Sequence, residues 1–492
     1  MPNIIAYLAL LSWPLICFVL FKKVRIEKAI IWSILGGYLI LPPVANFNLP
    51  LFPSMDKMSI PNISAFFICL YSLTRWRSLF PESRIANLLI LIFVVGAVPT
   101  VLTNLDPTRF FVLPNSTPIV YPSWQLPGLS VRDVISALTY QTIVLMPFLL
   151  GRRYLASEAA IRSLMSALMG GILVYSVLCI FEVRFSPQLN IMVYGFFQHD
   201  FSQTFRGNGY RPFVFLEHGL WLALLVVTAL LATAALARTA DVNQRMKYGM
   251  ATIYILVVLS LCKSMASLVY GLVFLPFVFL ASPRTLIKFA LMLALIATIY
   301  PLLRGAGLIP VDMILAYTKE ISPERSASLA YRFVNETALL ERAGDKSLLG
   351  WGGWGRNLVH DGDTGELITI PDGRWIIAFG TYGWLGYFSE FGLLALPIFS
   401  LAAEALRRKG KAISVYAAVL ALMVGINMFD LLLNATLTPL TWLMSGAVLG
   451  YAELQRASRR SALAGDQRIF KDPPSRPVMG TIVSQQGPRT IM

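Results

Sequence analysis

Runs of about 20 apolar residues recur along the whole chain, separated by shorter segments that carry the charged and polar residues. A helix needs about 20 residues to cross the ~30 Å hydrocarbon core of a bilayer, and helices satisfy their own backbone polar groups there. The pattern therefore predicts an all-α polytopic membrane protein with about 12–13 transmembrane helices. The predicted spans lie near residues 3–21, 27–44, 59–74, 85–103, 131–150, 162–181, 213–237, 248–262, 265–281, 285–303, 377–404, 412–433 and 436–452.

Composition agrees with this fold class. Of the 492 residues, 56% are hydrophobic and only 14% are charged, which is less charge than soluble proteins carry. The first apolar run has no basic residues before it and no small-residue cleavage site after it. It is therefore predicted to be a retained first helix and not a signal peptide.

The four cysteines all lie inside apolar runs, at Cys17, Cys69, Cys179 and Cys262. Such positions favour small buried hydrophobic side chains over a disulfide framework or a metal site. No metal and no cofactor are predicted.

The net charge of +15 is unevenly distributed. Most of the 41 Lys and Arg fall in short segments on one side of the predicted spans and in the C-terminal tail. The positive-inside rule assigns that side to the cytoplasm, which leaves the N-terminus outside and the C-terminus inside. No aromatic-basic binding motif accompanies the charge, so nucleic acid is not predicted as a partner.

These assignments divide the chain into four parts. Residues 1–303 are predicted to hold ten helices, 304–376 a large outer loop, 377–452 three more helices, and 453–492 a disordered basic cytoplasmic tail near anionic membrane lipid. The outer side offers no ATP, and the chain has no glycine-lysine phosphate-binding motif. Any chemistry there must use a substrate that arrives already activated.

Several Lys and Arg residues lie on the outer side, contrary to the excess of positive charge on the cytoplasmic side. Arg206 and Arg211 precede a span, Lys263 lies at the tip of a tight hairpin, and Arg325, Arg332 and Arg356 lie in the large loop. An anionic substrate at the membrane surface explains them, because arginine binds phosphate oxygens in a bidentate manner. Contacts to lipid headgroups and ion pairs within the loops are the alternative explanations.

The outer side also carries the candidate acid and base groups. Glu217 and His218 are adjacent at the mouth of a span, where ionisable groups are costly unless they are paired or functional. A pair that only fixes helix packing is the alternative. His360 and Asp363 lie in the large loop, and the spacing of its acidic residues matches no standard metal site.

Two features stand out within the large loop. Residues 326–345 have helical periodicity and are predicted to form an amphipathic surface helix, in which Arg332 and Glu336 are spaced for an i,i+4 ion pair. The stretch GWGGWGRN follows at 350–357, and its glycines allow the backbone to approach a ligand closely. Trp351 and Trp354 are candidates for stacking on a sugar ring or for anchoring at the bilayer interface.

A family resemblance rests on three segments. GWGGWGRN, together with DGRWIIAFGTYGWLGYFSEFG at 372–392, resembles the signature of bacterial membrane O-antigen ligases and of O-antigen and exopolysaccharide polymerases. RPFVFLEHGLWLA at 211–223 is similar to the Arg-to-His segment with which that family enters a span, and Lys263-Ser264 stands where relatives often have Ser-Arg. The resemblance covers residues 200–400 by motif and the N-terminal half by topology alone.

The resemblance implies a fold of the type C glycosyltransferase kind in the bacterial inner membrane. It implies a donor glycan linked to undecaprenyl pyrophosphate, and transfer without nucleotide sugar or metal. It also implies two demands on the site, which are stabilisation of a diphosphate leaving group and deprotonation of an acceptor hydroxyl. A chain-length regulator and a flippase of the same pathway are the implied protein partners.

These demands lead to specific assignments. The diphosphate is assigned to Arg211, Arg332 and Arg356, with Lys263 and Arg206 in support. The sugar is assigned to Trp351 and Trp354, and the base to His218 or His360, with Glu217 and Asp363 as alternatives. The family's catalytic His late in the large loop has no evident counterpart, because His360 directly follows the glycine-rich turn.

A polymerase of an exopolysaccharide or O-antigen is the first expectation. An O-antigen ligase that transfers the glycan to lipid A core is the alternative, and it differs only in its acceptor. A flippase or secondary transporter is the alternative from another class, given the charged Glu390 and Asp430 within spans. Against it, the sequence shows no internal repeat and no pair of broken helices.

Overall fold

The computed structural model describes residues 1–49, 52–71, 79–109, 125–207, 209–361, 365–407 and 413–471. The described residues are almost entirely helical. The helices are α1 (Ile4–Lys23), α2 (Ile26–Ile40), α3 (Ser59–Tyr71), α4 (Arg84–Val95), α5 (Ala97–Leu102), α6 (Val131–Tyr154), α7 (Glu158–Phe185), α8 (Leu189–Tyr194), α9 (Gly219–Thr239), α10 (Val242–Leu261), α11 (Met265–Leu280), α12 (Pro283–Gly305), α13 (Val311–Ile321), α14 (Pro323–Gly344), α15 (Arg374–Arg407), α16 (Val415–Asp430) and α17 (Pro439–Lys471). Two short antiparallel strands, β1 (Thr108–Arg109) and β2 (Gln125–Leu126), and a 3-10 turn at Phe201–Thr204 complete the regular structure.

Each predicted span overlaps at least one of these helices. Within the described residues, seven helical segments are long and apolar enough to cross a membrane: α1, α4 with α5, α6, α7, α9, α12 and α15. α3, α11 and α16 are shorter apolar helices. The prediction of an all-α helical membrane protein is thereby confirmed.

α9 lies at the centre of the bundle. It is apolar around its whole circumference and is buried over nearly its whole length, whereas α1 is largely exposed. α9 packs against α7, α10, α11 and α16, and α12 packs against both α15 and α16. A helix without a polar face is suited either to the core of a protein or to a membrane span, and α9 occupies the core of the bundle.

One predicted span starts earlier than its helix, and another contains a break that was not predicted. The span predicted at 213–237 begins as a helix only at Gly219, because residues 213–218 form an irregular buried segment. The span predicted at 85–103 is divided into α4 and α5 at Gly96. Hydropathy measures burial in an apolar environment and does not distinguish a buried irregular segment from a helix.

The connecting segments gather at two ends of the bundle. At one end, Lys57 donates a hydrogen bond to the carbonyl oxygen of Phe215 (2.7 Å), and Lys346 donates to that of Thr103 (3.0 Å). We call this the loop end, because it carries α13 and α14.

At the opposite end, Glu453 accepts a hydrogen bond from Nε of Arg152 (2.7 Å), and Glu404 pairs with Arg456 and Arg459. These ion pairs tie α17 to α6 and α15. α17 continues to Lys471, so residues 453–471 are helical where the sequence predicted a disordered tail. Residues 472–492 lie outside the described residues.

The amphipathic helix predicted at 326–345 is confirmed as α14, which buries Phe333 and Leu339. The predicted pair between Arg332 and Glu336 is wrong. Glu336 instead accepts a hydrogen bond from Nε of Arg304 at the end of α12 (2.6 Å). This buried ion pair joins α14 to the membrane helices.

A break in α15 was not predicted. Gly383 interrupts the helix with φ 64° and ψ −164°, a conformation essentially restricted to glycine. The backbone N–H groups of Trp384 and Leu385 after the break donate to the carbonyl oxygens of Ser347 (2.8 Å) and Leu348 (3.3 Å). Backbone groups that the break removes from the helix are therefore satisfied by another part of the chain.

The glycine-rich stretch 350–357 supplies the rest of this contact. The N–H groups of Trp351 and Gly352 donate to the carbonyl oxygens of Gly380 and Thr381, both at 2.9 Å. Gly350 has φ 74°, and a Cβ atom there would overlap the Thr381 carbonyl group. Gly350 therefore lets the backbone approach α15 closely, a role that the sequence did not predict.

The four cysteines are all buried, as predicted. Cys17, Cys69 and Cys179 lie within α1, α3 and α7, and Cys262 caps the C-terminus of α10.

Candidate functional site

The irregular segment 211–218 crosses the loop end and is held in place by buried polar groups. Glu182 of α7 accepts hydrogen bonds from the backbone N–H groups of Phe213 (2.8 Å), Val214 (2.7 Å) and Leu189 (3.2 Å). The role of Glu182 was not predicted from the sequence. A single carboxylate at the end of the apolar run 162–181 was the available signal, because a charge there needs partners.

Three of the predicted diphosphate ligands meet directly beside this segment. Lys263 lies at the tip of the α10–α11 hairpin with φ 50°, and its Nζ donates to the carbonyl oxygen of Arg206 (2.9 Å). Arg211 donates in turn from Nη2 to the carbonyl oxygen of Lys263 (3.0 Å). Neutral carbonyl oxygens orient Lys263 and Arg211, and the Arg206 side chain donates to the amide oxygen of Gln203 (3.1 Å).

Two further cations come from α14. Arg325 and Arg332 both lie within electrostatic range of Arg211, and Arg332 donates to the carbonyl oxygen of Leu433 (3.2 Å). We call Arg206, Arg211, Lys263, Arg325 and Arg332 the cationic cluster. Burial and the neighbouring Arg206 lower the pKa of Arg211 to about 10, so it stays protonated at neutral pH.

Two carboxylates lie near the cationic cluster, both at long range. Glu324 is 3.9 Å from Arg206, and Asp372 is 3.7 Å from Arg332. The Nε atoms of Arg206 and Arg211 are buried and have no hydrogen-bond partner among the described residues. Buried charged donors without acceptors are costly, so the cluster is suited to an anion that brings several oxygens.

His218 lies between the cationic cluster and the start of α9. Its Nδ1 accepts the N–H of Leu220 (3.1 Å), and its ring contacts that of His199, with the centroids 4.8 Å apart. Burial, together with the charge of Arg211, lowers the pKa of His218 to about 3. Because Nδ1 accepts the N–H of Leu220, the neutral ring carries its proton on Nε2 and can donate a hydrogen bond from it.

Glu217 faces a second group of polar residues. Its carboxylate lies within electrostatic range of Lys57, Asp56 and Tyr140, and it has no hydrogen-bond partner among the described residues. Burial raises the pKa of Glu217, and the Lys57 charge opposes the rise. The alternative that Glu217 and His218 form a packing pair is not supported, because His218 caps α9 instead.

Arg356 is not part of the cationic cluster. Its side chain is buried and donates to the carbonyl oxygens of Pro127 (2.8 Å), Asp106 (3.0 Å) and Trp351 (3.3 Å). The neighbouring Arg342 is ten residues beyond Arg332 on α14, which corresponds to about 15 Å along a helix. Arg356 is therefore a structural residue that holds the glycine-rich stretch against the strand region.

The remaining loop candidates also lie with Arg356. The ring of Trp351 is covered by the guanidinium group of Arg342, 3.4 Å from the ring centroid, so it does not present a face to a sugar. His360 pairs with Leu367 in an isolated β-bridge beside the glycine-rich turn. Trp354 is 73% exposed and donates from Nε1 to Asp133 (2.9 Å). Asp363 lies outside the described residues.

Comparisons with known proteins give no family assignment. No protein-family model matches the chain, and a search of curated proteins finds no significant match. The resemblance to O-antigen ligases and polymerases therefore rests on the sequence motifs alone and stays a prediction.

Proposed function

We propose that the protein is a membrane glycosyltransferase that polymerises undecaprenyl-pyrophosphate-linked repeat units of an exopolysaccharide or O-antigen on the periplasmic face of the bacterial inner membrane. The cationic cluster is the observation that carries the proposal. A diphosphate fits it because it offers several anionic oxygens at once, as bidentate guanidinium binding requires. The unpartnered Nε atoms of Arg206 and Arg211 are two of the available donors.

The reaction assigns a role to each group. The acceptor hydroxyl oxygen forms a bond to the anomeric carbon of the donor sugar, and the bond from that carbon to the diphosphate oxygen breaks. The electron pair leaves with undecaprenyl pyrophosphate, and the fixed charges of Arg211 and Arg332 stabilise it as it develops. The hydroxyl proton passes to the Glu217 carboxylate, which has no partner to displace. The Nε2–H group of His218 donates to the substrate between them.

This assignment predicts a specific pH dependence. Glu217 must be ionised to accept a proton, and its pKa is raised by burial. The rate of glycan transfer is therefore expected to fall as the pH drops through this raised pKa, which lies above the ordinary pKa range of a glutamate. Lys57→Met removes the charge that opposes the rise and is expected to move the acid limb to higher pH. Asp56→Asn removes a charge that adds to the rise and is expected to move it to lower pH.

The measurement is the initial rate of chain elongation in native membranes between about pH 4 and pH 8. The two substitutions serve as controls for each other, because they change neighbouring charges of opposite sign. If the acid limb stays in place in both variants, Glu217 is not the proton acceptor.

Deletion of the gene in its host tests the function as a whole. Single repeat units are expected to persist on the lipid carrier, and the wild-type gene is expected to restore long chains, because polymerisation is the step that is lost. Lipid-linked and exported glycans would be sized by electrophoresis and mass spectrometry.

The same experiment distinguishes the alternatives. Long chains stranded on undecaprenyl pyrophosphate would indicate a ligase. Repeat units retained on the cytoplasmic face would indicate a flippase, and an unchanged glycan profile would contradict all three functions. For the transporter class, Glu390 and Asp430 are the relevant intramembrane charges. Glu390 binds Arg374 with both oxygens (2.7 and 2.6 Å), and Asp430 accepts from Thr436 (2.7 Å), so both already have partners.

A further inference from the structure

A cavity lies at the opposite end of the bundle from the cationic cluster. It has a volume of about 760 Å³ and opens between the first turns of α2 and α7 and the start of α16. Its lining consists of Arg25, Lys28, Ile31, Trp32, Glu158, Ala159, Arg162, Ser163, Ser166, Ala167 and Tyr416. A cavity of this size is comparable to the sites that hold small organic ligands.

The cavity has an excess of positive charge. Arg25 and Lys28 come from α2 and Arg162 from α7, against a single carboxylate, that of Glu158. Glu158 and Arg162 are spaced for an i,i+4 pair. Among the described residues, no side chain forms a hydrogen bond or ion pair with the charged groups of these two residues or of Arg25 and Lys28.

The position of the cavity indicates the kind of ligand. The cations lie where α2 and α7 begin, and the partly exposed Trp32 lies one turn further along α2. No side chain caps the N-terminus of α2, whose backbone N–H groups thus add to the positive potential. A ligand with an anionic head beside an apolar body matches this arrangement better than a small soluble anion does.

We infer that this cavity binds the phosphate group of an anionic membrane lipid, with the headgroup between Arg25, Lys28 and Arg162. Basic pockets between transmembrane helices are suited to anionic headgroups, and each Lys or Arg adds about a fivefold gain in binding. The inference does not depend on the proposed glycosyltransferase activity, because the cavity and the cationic cluster lie at different ends of the bundle.

The test uses the full-length protein purified in detergent and returned to defined lipid. Native mass spectrometry would count bound phosphatidylglycerol and bound phosphatidylcholine in the wild type and in the triple variant Arg25→Gln, Lys28→Gln, Arg162→Gln. The matched control is the triple variant Arg153→Gln, Arg245→Gln, Lys247→Gln, which removes three exposed charges that are not part of the cavity lining. Competition with inorganic phosphate separates a lipid site from a site for a free anion.

The cavity variant is expected to bind phosphatidylglycerol on the order of 100-fold more weakly than the wild type, with the control close to the wild type. Equal weakening in both triple variants would overturn the inference, since any surface charge would then suffice. Displacement of the lipid by millimolar inorganic phosphate would overturn the assignment to a lipid. Glycan transfer is expected to persist in the cavity variant, which keeps failure of this inference distinct from failure of the proposed function.

Discussion

Arg332→Gln is expected to lower glycan transfer by about 10²–10³-fold, the usual effect of removing one group that stabilises developing charge in a transition state. Arg332 lies at the edge of the cationic cluster, about one quarter exposed, and makes only two long hydrogen bonds, to Leu433 (3.2 Å) and Asn434 (3.3 Å). Its removal therefore costs little folding energy, and the amount of protein in the membrane should stay at the wild-type level. The measurement is the rate of chain elongation, normalised to the amount of folded protein.

Arg356→Gln is expected to show the reverse pattern. Arg356 is 2% exposed and donates to several backbone carbonyl groups, so its loss leaves buried acceptors unsatisfied at a cost of about 1–3 kcal/mol each. Less folded protein should reach the membrane, while the folded fraction retains transfer. Lys319→Gln, which removes one exposed charge from α13, is the control for a general effect of charge at the loop end. If Arg332→Gln stayed active and Arg356→Gln were folded but inactive, the two assigned roles would be reversed.

The membrane helices could be predicted from the sequence because each is an apolar run of about the length that a bilayer requires. The predicted bounds were wrong where a segment is buried but not helical. Residues 213–216 are apolar and largely buried, but Glu182 accepts hydrogen bonds from the backbone N–H groups of Phe213 and Val214, so these two groups need no helical partner. That contact joins residues about 30 positions apart along the chain, which periodicity does not reveal.

The candidate site could be predicted in part. Arg206, Arg211, Lys263 and Arg332 were identified because they break the charge bias of the membrane sides, and the structure brings them together. Arg356 satisfied the same criterion and yet is structural. Two of the carbonyl groups that it binds, those of Pro127 and Asp106, belong to residues more than 200 positions earlier, and no local pattern indicates them.

The spacing of charged residues along the sequence was also insufficient to predict which of them form ion pairs. Glu336 is four residues from Arg332 but pairs with Arg304, which the end of α12 places 2.6 Å away. Surface i,i+4 pairs contribute only a few tenths of a kcal/mol, so a buried partner from another helix easily replaces them. Arg332 is thereby left available to the cationic cluster.

Gly383→Ala is expected to destabilise the protein by at least about 3 kcal/mol, which is a large share of the ~5–15 kcal/mol that stabilises a typical domain. Gly383 has φ 64°, and a Cβ atom there would overlap the carbonyl group of Leu348, in the segment that packs against the break. Gly350→Ala is expected to be similarly severe, because φ is 74° and the overlap is with the Thr381 carbonyl group. Backbone atoms cannot move aside as a flexible side chain can.

Gly353→Ala is the matched control, because it lies in the same glycine-rich stretch and a Cβ atom there has no neighbour within 4 Å. Thermal unfolding in detergent and the monodisperse yield would be compared for the three variants. Loss of the folded fraction in Gly383→Ala and Gly350→Ala, with Gly353→Ala near the wild type, would establish that the glycines exist to join the loop to the broken helix. If all three variants folded normally but lost transfer, the stretch would instead contact the substrate, and the assignment of Arg356 as a structural residue would also fall, because both depend on the same packing.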